Sequence, residues 1–224
     1  VFGYGFEDGS AFVFNQDFKV TYPEGTTRKI IPRVEYPLGE KAVQIDPQGQ
    51  ALTLLSLQSY DDQTTFAAVT ADSRVVVKSI SRKASFLDPS EFTLEEESGE
   101  IALPAFTNIT HIKLDIDQRE LYLIDDKGFI HYYDVQNTSS PRLVQKVKAV
   151  PTGVDVTTLE FLTGGISILV GRSDGQIDQW FPVRDKDNNY FLHNVRSFAD
   201  QDAPIVAIAP EQARKGFLAL DRSG

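Results

Sequence analysis

The 224-residue chain predicts an all-β fold, a β-propeller-like repeat of four-stranded blades, about five of them, in one domain over residues 1–224. Three observations predict it. First, short polar turns of one kind recur at Gly9, Ser73, Gly128, Gly175 and Gly224, spaced 64, 55, 47 and 49 residues apart. Repeats of about 40–50 residues with four short strands each point to propeller blades, which bury both sheet faces by stacking around an axis. Second, the turns sit between alternating or apolar runs, as in ILVGRSDGQIDQWF, and Asp-Gly in that setting is the strongest short-range hairpin signal. Third, Pro23, Pro32, Pro37 and Pro47 break any helical pattern early in the chain and confine strands to short or edge pieces. An irregular β-sandwich is the competing fold, but its turns recur every 8–12 residues or so.

Residues 1–18 read as a hairpin turning at Asp8 and Gly9, with the chain starting inside a unit. Short strands follow at Arg33–Tyr36, Ala42–Ile45 and Ala51–Leu57, separated by the turns Pro23-Glu24-Gly25 and Pro47-Gln48-Gly49. Phe66–Val69 and Val75–Ile80 flank a turn at Asp72. Leu121–Ile124 and Phe129–Val135 flank Asp126 and Gly128. Ile166–Val170 and Gln176–Val183 flank Asp174 and Gly175, with Ile177, Gln179, Phe181 and Val183 on one face. Residues 88–100 carry six acids and read as a solvated loop around a strand at Phe92–Leu94; they lack the Asp/Asn spacing and Gly of a calcium loop. Pro210–Lys215 suggests one helical turn between Pro and Gly216.

Composition excludes several functions. No Cys means no disulfide, no thiolate nucleophile and no Cys-based zinc site; Met is also absent. A net charge of −10 opposes nucleic-acid and anionic membrane binding. No run approaches the roughly 20 apolar residues of a membrane span, so the piece reads as a soluble fragment of something longer.

Catalytic motifs are missing. His111, His131 and His193 stand apart in alternating strands and read as surface or satisfied histidines rather than ligands. Gly3-Tyr4-Gly5 and Gly164-Gly165 lack the Lys-Ser/Thr of a phosphate loop, and Ser167 lacks a nucleophile elbow. Asp174 and Asp185 read as turn formers. Trp180, the single Trp, reads as buried between blades in preference to stacking on a ligand. No cofactor, metal or catalytic group is expected.

Two stretches carry a resemblance. Gly164–Asp185 (with Gln179-Trp180-Phe181-Pro182-Val183-Arg184-Asp185) and Arg196–Gly224 (with Ala213-Arg214-Lys215-Gly216-Phe217-Leu218-Ala219), together with Phe14–Gly39, resemble the long N-terminal insertion of proteobacterial phosphate ABC transporter permeases. Pro182 departs from the pattern, where an apolar residue is expected. The resemblance implies a periplasmic domain of an inner-membrane protein, placed between the first transmembrane helix and the permease helices. It implies a non-catalytic module contacting the phosphate-binding protein, the sister permease or another envelope partner. The alternatives are a phosphate or small-molecule sensor on the propeller axis and, third, a propeller-scaffold enzyme. There is no GH…WD pair of the WD40 type.

Overall fold

The computed structural model describes residues 1–85, 92–198, 202–211, 213 and 216–224. Those residues form eighteen strands and no helix. The first sheet comprises β1 (Phe2–Gly5), β2 (Ser10–Thr21), β3 (Lys29–Glu35) and β4 (Val43–Gln44). The second runs β5 (Leu52–Tyr60), β6 (Gln63–Thr70), β7 (Val75–Ala84), β8 (Phe92–Ile101). The third is β9 (Ile109–Leu114), β10 (Glu120–Asp125), β11 (Phe129–Asp134), β12 (Arg142–Lys148). The fourth is β13 (Val156–Phe161), β14 (Ile168–Arg172), β15 (Ile177–Arg184), β16 (Tyr190–Phe198). A fifth sheet has two strands, β17 (Ile205–Pro210) and β18 (Phe217–Asp221). All pairings are antiparallel, the second to fourth sheets are meanders, and β5, β9, β13 and β17 follow one another along the inside. This is a β-propeller arrangement.

The core lies between blades. Ala11 and Val13 of the first sheet meet Phe66, Ala68 and Ile80 of the second. Val69 and Val77 of the second meet Leu121 and Leu123 of the third. Ile124 and Ile130 of the third meet Ile168 and Trp180 of the fourth, and Leu169 and Ile177 of the fourth meet Ile205 and Ile208 of the fifth. A sheet covered on both faces loses the period-2 signal, which explains the continuous burial of Thr64–Thr70 and Leu121–Asp125.

The first sheet is out of step with the others. Its β1–β2 turn takes the place of the turns between second and third strands elsewhere. Ile45 and Asp46 donate N–H bonds to Gly9 O (both 3.0 Å), as Ala149 donates to Gly128 O (2.8 Å). β2 is long enough to pair with β1 and β4 at its start and β3 at its end. Its second half and β3 therefore form a two-stranded ribbon whose β3 is exposed throughout. Pro32 sits in β3, an edge strand, where a missing N–H is tolerated.

Three expectations change. The acidic run is not a loop around a three-residue strand: β8 pairs with β7 from Phe92 to Ile101, and Glu95 and Glu96 meet Lys83 and Lys78 across the ladder. Cross-strand charge pairing thus extends the strand; residues 88–91 lie outside the described residues. Of the suggested helical turn, Pro210 belongs to β17 and pairs with Phe217, while residues 212, 214 and 215 lie outside the described residues. Ile177, Gln179, Phe181 and Val183 do not share one environment. The fifth sheet covers Ile177, whereas Phe181 and Val183 remain exposed.

Gly128 holds φ +73, and an added Cβ there would lie 2.4 Å from Val150 Cγ2. Gly128→Ala combines left-handed strain with a clash. It is expected to destabilise by about 1–3 kcal/mol, read as a lower denaturant midpoint with unchanged m-value.

Candidate functional site

The turns singled out by sequence are structural, and Asp8, Asp72 and Asp174 are occupied by neighbouring backbone or side-chain donors. Asp8 Oδ1 accepts from Ser10 N (3.0 Å) and Ser10 Oγ (2.6 Å), which holds its pKa below the ordinary value. Asp72 receives Thr70 Oγ1 and Arg74 Nε. Asp126 lies in its turn, but the work falls to its neighbour: buried Asp125 accepts from Lys127 N, Phe129 N and His131 Nε2 (3.0, 2.9 and 2.9 Å). Asp174 pairs with Arg172, whose Nη1 also reaches buried Asp178 at 2.9 Å. Gly9, Gly128 and Gly175 all hold positive φ.

Asp46, fully buried in the connection after β4, was not singled out by the sequence. It takes a two-pronged bond from Arg74 Nη1 (3.0 Å) and Nη2 (2.9 Å). Burial alone would raise its pKa; the Arg74 bonds and the Gln50 and Gln48 N–H groups outweigh that and lower it. Its bonds to Gln48 N and Gln50 N are local, but Arg74 stands 28 residues on and leaves no local signal.

The three histidines stay apart. His131 is buried against Asp125. His111 Nδ1 lies 3.0 Å from Thr110 Oγ1, and burial lowers its pKa. His193 pairs across from Phe181 on an exposed strand. Ser167 Oγ accepts from Gln179 Nε2 at 3.1 Å. Trp180 is 5% exposed within the cluster between the third and fourth blades. Among the described residues no three His, Asp or Glu side chains are placed to hold a metal ion, and no helix is long and apolar enough to cross a membrane.

Two surfaces bear on function. A groove of about 490 Å³ between the third and fourth blades is lined by Arg119, Glu120, Tyr132, Arg142, Asn189 and Tyr190 among others. Glu120 is occupied there by the Tyr122 and Tyr132 hydroxyls (both 2.6 Å). Burial foremost, and Glu120 after it, push both phenols upward in pKa, so they donate and do not act as bases. The other surface is the outer face of the first sheet and its ribbon. Register places Phe2, Tyr4, Phe12 and Phe14 on one face with Phe18, Val20, Ile30 and Val34. Phe2 and Phe14 stack at 5.3 Å, and Phe12 meets Tyr36 at 5.7 Å. Phe18, Ile30 and Val34 are about half exposed (54%, 51% and 49%), so the apolar face is open to solvent.

No family model and no curated protein matches the chain. Solved structures do match in shape. Kluyvelomyces marxianus Hsv2 is 15% identical, covers 75% of this chain and 52% of its own, with TM-score 0.50. KlHsv2 with loop 6CD replaced by a Gly-Ser linker is 14% identical over the same shares, also at 0.50. The Myceliophteria_thermophila Cps50 (Swd1) β-propeller domain is 14% identical over 88% of this chain and 53% of its own, at 0.49. The chain spans about half the length of each, and the likeness is one of fold alone.

Proposed function

We propose that the chain is a non-catalytic docking module, the periplasmic domain of the inner-membrane permease subunit of a phosphate ABC importer. Its partner is another importer subunit, the sister permease or the phosphate-binding protein. One observation carries the docking role: the open apolar face running from Phe2 and Phe14 onto Phe18, Ile30 and Val34. Contiguous exposed apolar surface of this kind marks a protein interface. Phe14–Gly39, which supplies most of the ribbon, is also one of the stretches that resemble the permease insertion. The turn acids support a scaffold role, since their oxygens are spent on backbone N–H groups and arginines.

The test is photo-crosslinking in intact envelopes from the full-length protein carrying benzoylphenylalanine at position 18 or 34. Crosslinks to an importer subunit, lost with Ile30→Asp, are expected. Crosslinks that recover no importer component, or that Ile30→Asp leaves unchanged, overturn the reading.

A further inference from the structure

We propose that the groove between the third and fourth blades binds an uncharged saccharide chain. The groove, about 490 Å³, lies where the start of β10, the end of β11 and the start of β12 meet the β15–β16 turn. A second cavity of about 560 Å³, over the β11–β12 turn, shares Asp134, Gln136 and Arg142 with it. The two form one elongated cleft, and each part falls within the usual size of a small-ligand site, about 300–1,000 Å³.

The observation that points to a ligand is a carboxylate fixed in the groove wall with acceptor capacity to spare. Glu120 Oε1 takes the Tyr132 hydroxyl and Oε2 the Tyr122 hydroxyl, both at 2.6 Å. The two rings are buried and stacked at 4.9 Å, so they hold the carboxylate in one orientation. Each oxygen can accept a second hydrogen bond, and neither does so among the described residues. Glu120 has no ion-pair partner among them either. Both Glu120 and Tyr132 line the cavity, so the open acceptor positions belong to it. The side chains of Arg119 beside Glu120, and of Asn188 and Asn189 on the fourth blade, also line it and make no hydrogen bond among the described residues.

The lining selects the ligand. Arg119 and Arg142 balance Glu120 and Asp134, so neither a polyanion nor a polycation is favoured. Glu120 calls for donors, whereas Arg119 supplies donors and the asparagine amides supply both kinds of group. A hydroxyl donates and accepts at once, so a ligand rich in hydroxyls satisfies both walls. Tyr190, 54% exposed, and Phe191, 37% exposed, add ring faces for the C–H side of a sugar. A peptide backbone shares the pattern of donors and acceptors, but its recognition relies on pockets for alternate side chains. The wall here is polar instead, built by Glu120, Tyr132 and Asp134. The length of the cleft suits more than one sugar ring. The site lies on other blades than the docking face and does not depend on it.

The test is an NMR titration of the ¹⁵N-labelled chain with maltotriose, cellotriose and triacetylchitotriose, and separately with acetyl-Ala-Ser-Gly-Ala-amide. The expected result is saturable shifts at the Asn188 and Asn189 side-chain NH₂ groups and at the backbone of residues 119–120 and 188–191 with at least one saccharide. Which saccharide binds tightest tells a plain glucan from an N-acetylated chain. Affinity is expected to hold between low salt and about 0.5 M NaCl, as for an uncharged ligand. Glu120→Gln keeps the size of the side chain without the charge and is expected to weaken binding about tenfold. Tyr190→Ala, at an exposed position, is expected to do the same and serves if Glu120→Gln does not fold. No saturable shift with any saccharide, binding of the peptide alone, affinity that collapses with salt, or affinity unchanged in both variants would overturn the proposal.

Discussion

Asp125→Ala is expected to destabilise the protein by about 3–5 kcal/mol at neutral pH, a fall of roughly 6–20 °C in melting temperature for a chain of this size. The side chain of Asp125 is 2% exposed, as is that of His131, its partner at 2.9 Å; Lys146 Nζ lies at 3.7 Å. Removing the carboxylate strands two N–H donors and leaves His131 buried without its acceptor. Burial by itself would raise the Asp125 pKa, but His131 and the Phe129 and Lys127 N–H groups outweigh it and lower it. The sign then follows. A carboxyl whose folded pKa is depressed contributes stability above its unfolded value near 3.9, and loses it as pH falls through the folded value. The gap between wild type and Asp125→Ala should therefore narrow below about pH 4. Asp125→Asn, which keeps one acceptor for the turn, should fall between them. A loss under about 1 kcal/mol at pH 7, by urea denaturation, would show that the network is not coupled as the geometry implies.

The same turn illustrates what the sequence makes legible. Asp-Asp-Lys-Gly announces a hairpin at residues 125–128 because Gly permits positive φ and the flanking runs are apolar. Which aspartate caps the turn depends on which carboxyl points inward, and that is set by the blade interior. The recurrence of such turns at roughly blade-length intervals was enough for the propeller, since each blade needs one central hairpin. It was not enough for the first sheet, whose long β2 serves one sheet and a projecting ribbon at once. Alternation at Phe18, Val20, Ile30 and Val34 looks like an ordinary half-buried hairpin, and only the absence of packing against Phe18 and Ile30 marks it as surface. The Asp46–Arg74 pair was illegible for a similar reason: its members stand 28 residues apart along the chain. Long-range neighbours across two blades carry no local signature. The acidic run at residues 92–100 misled in the opposite direction, because charge density hid a strand held by facing lysines.

Trp180 gives the second large effect, and the contrast between two substitutions makes it informative. Trp180→Ala is expected to cost about 3–5 kcal/mol, since it empties a large volume between the third and fourth blades where Ile130, Ile168 and Leu192 close around the ring. Trp180→Phe should cost far less, about 1 kcal/mol. It loses part of the ring, yet it also removes an indole N–H that is buried with no partner among the described residues. These opposed terms separate packing from hydrogen bonding at one position. Circular dichroism under urea reads both variants, and tryptophan emission, here reporting a single site, reads the wild type. If Trp180→Phe loses as much as Trp180→Ala, a bond to the indole N–H is holding the two blades together in solution. If both lose little, the blades separate there readily, and the ring is free to meet a ligand. With the ring 5% exposed, the first pattern of large and small loss is the one the packing requires.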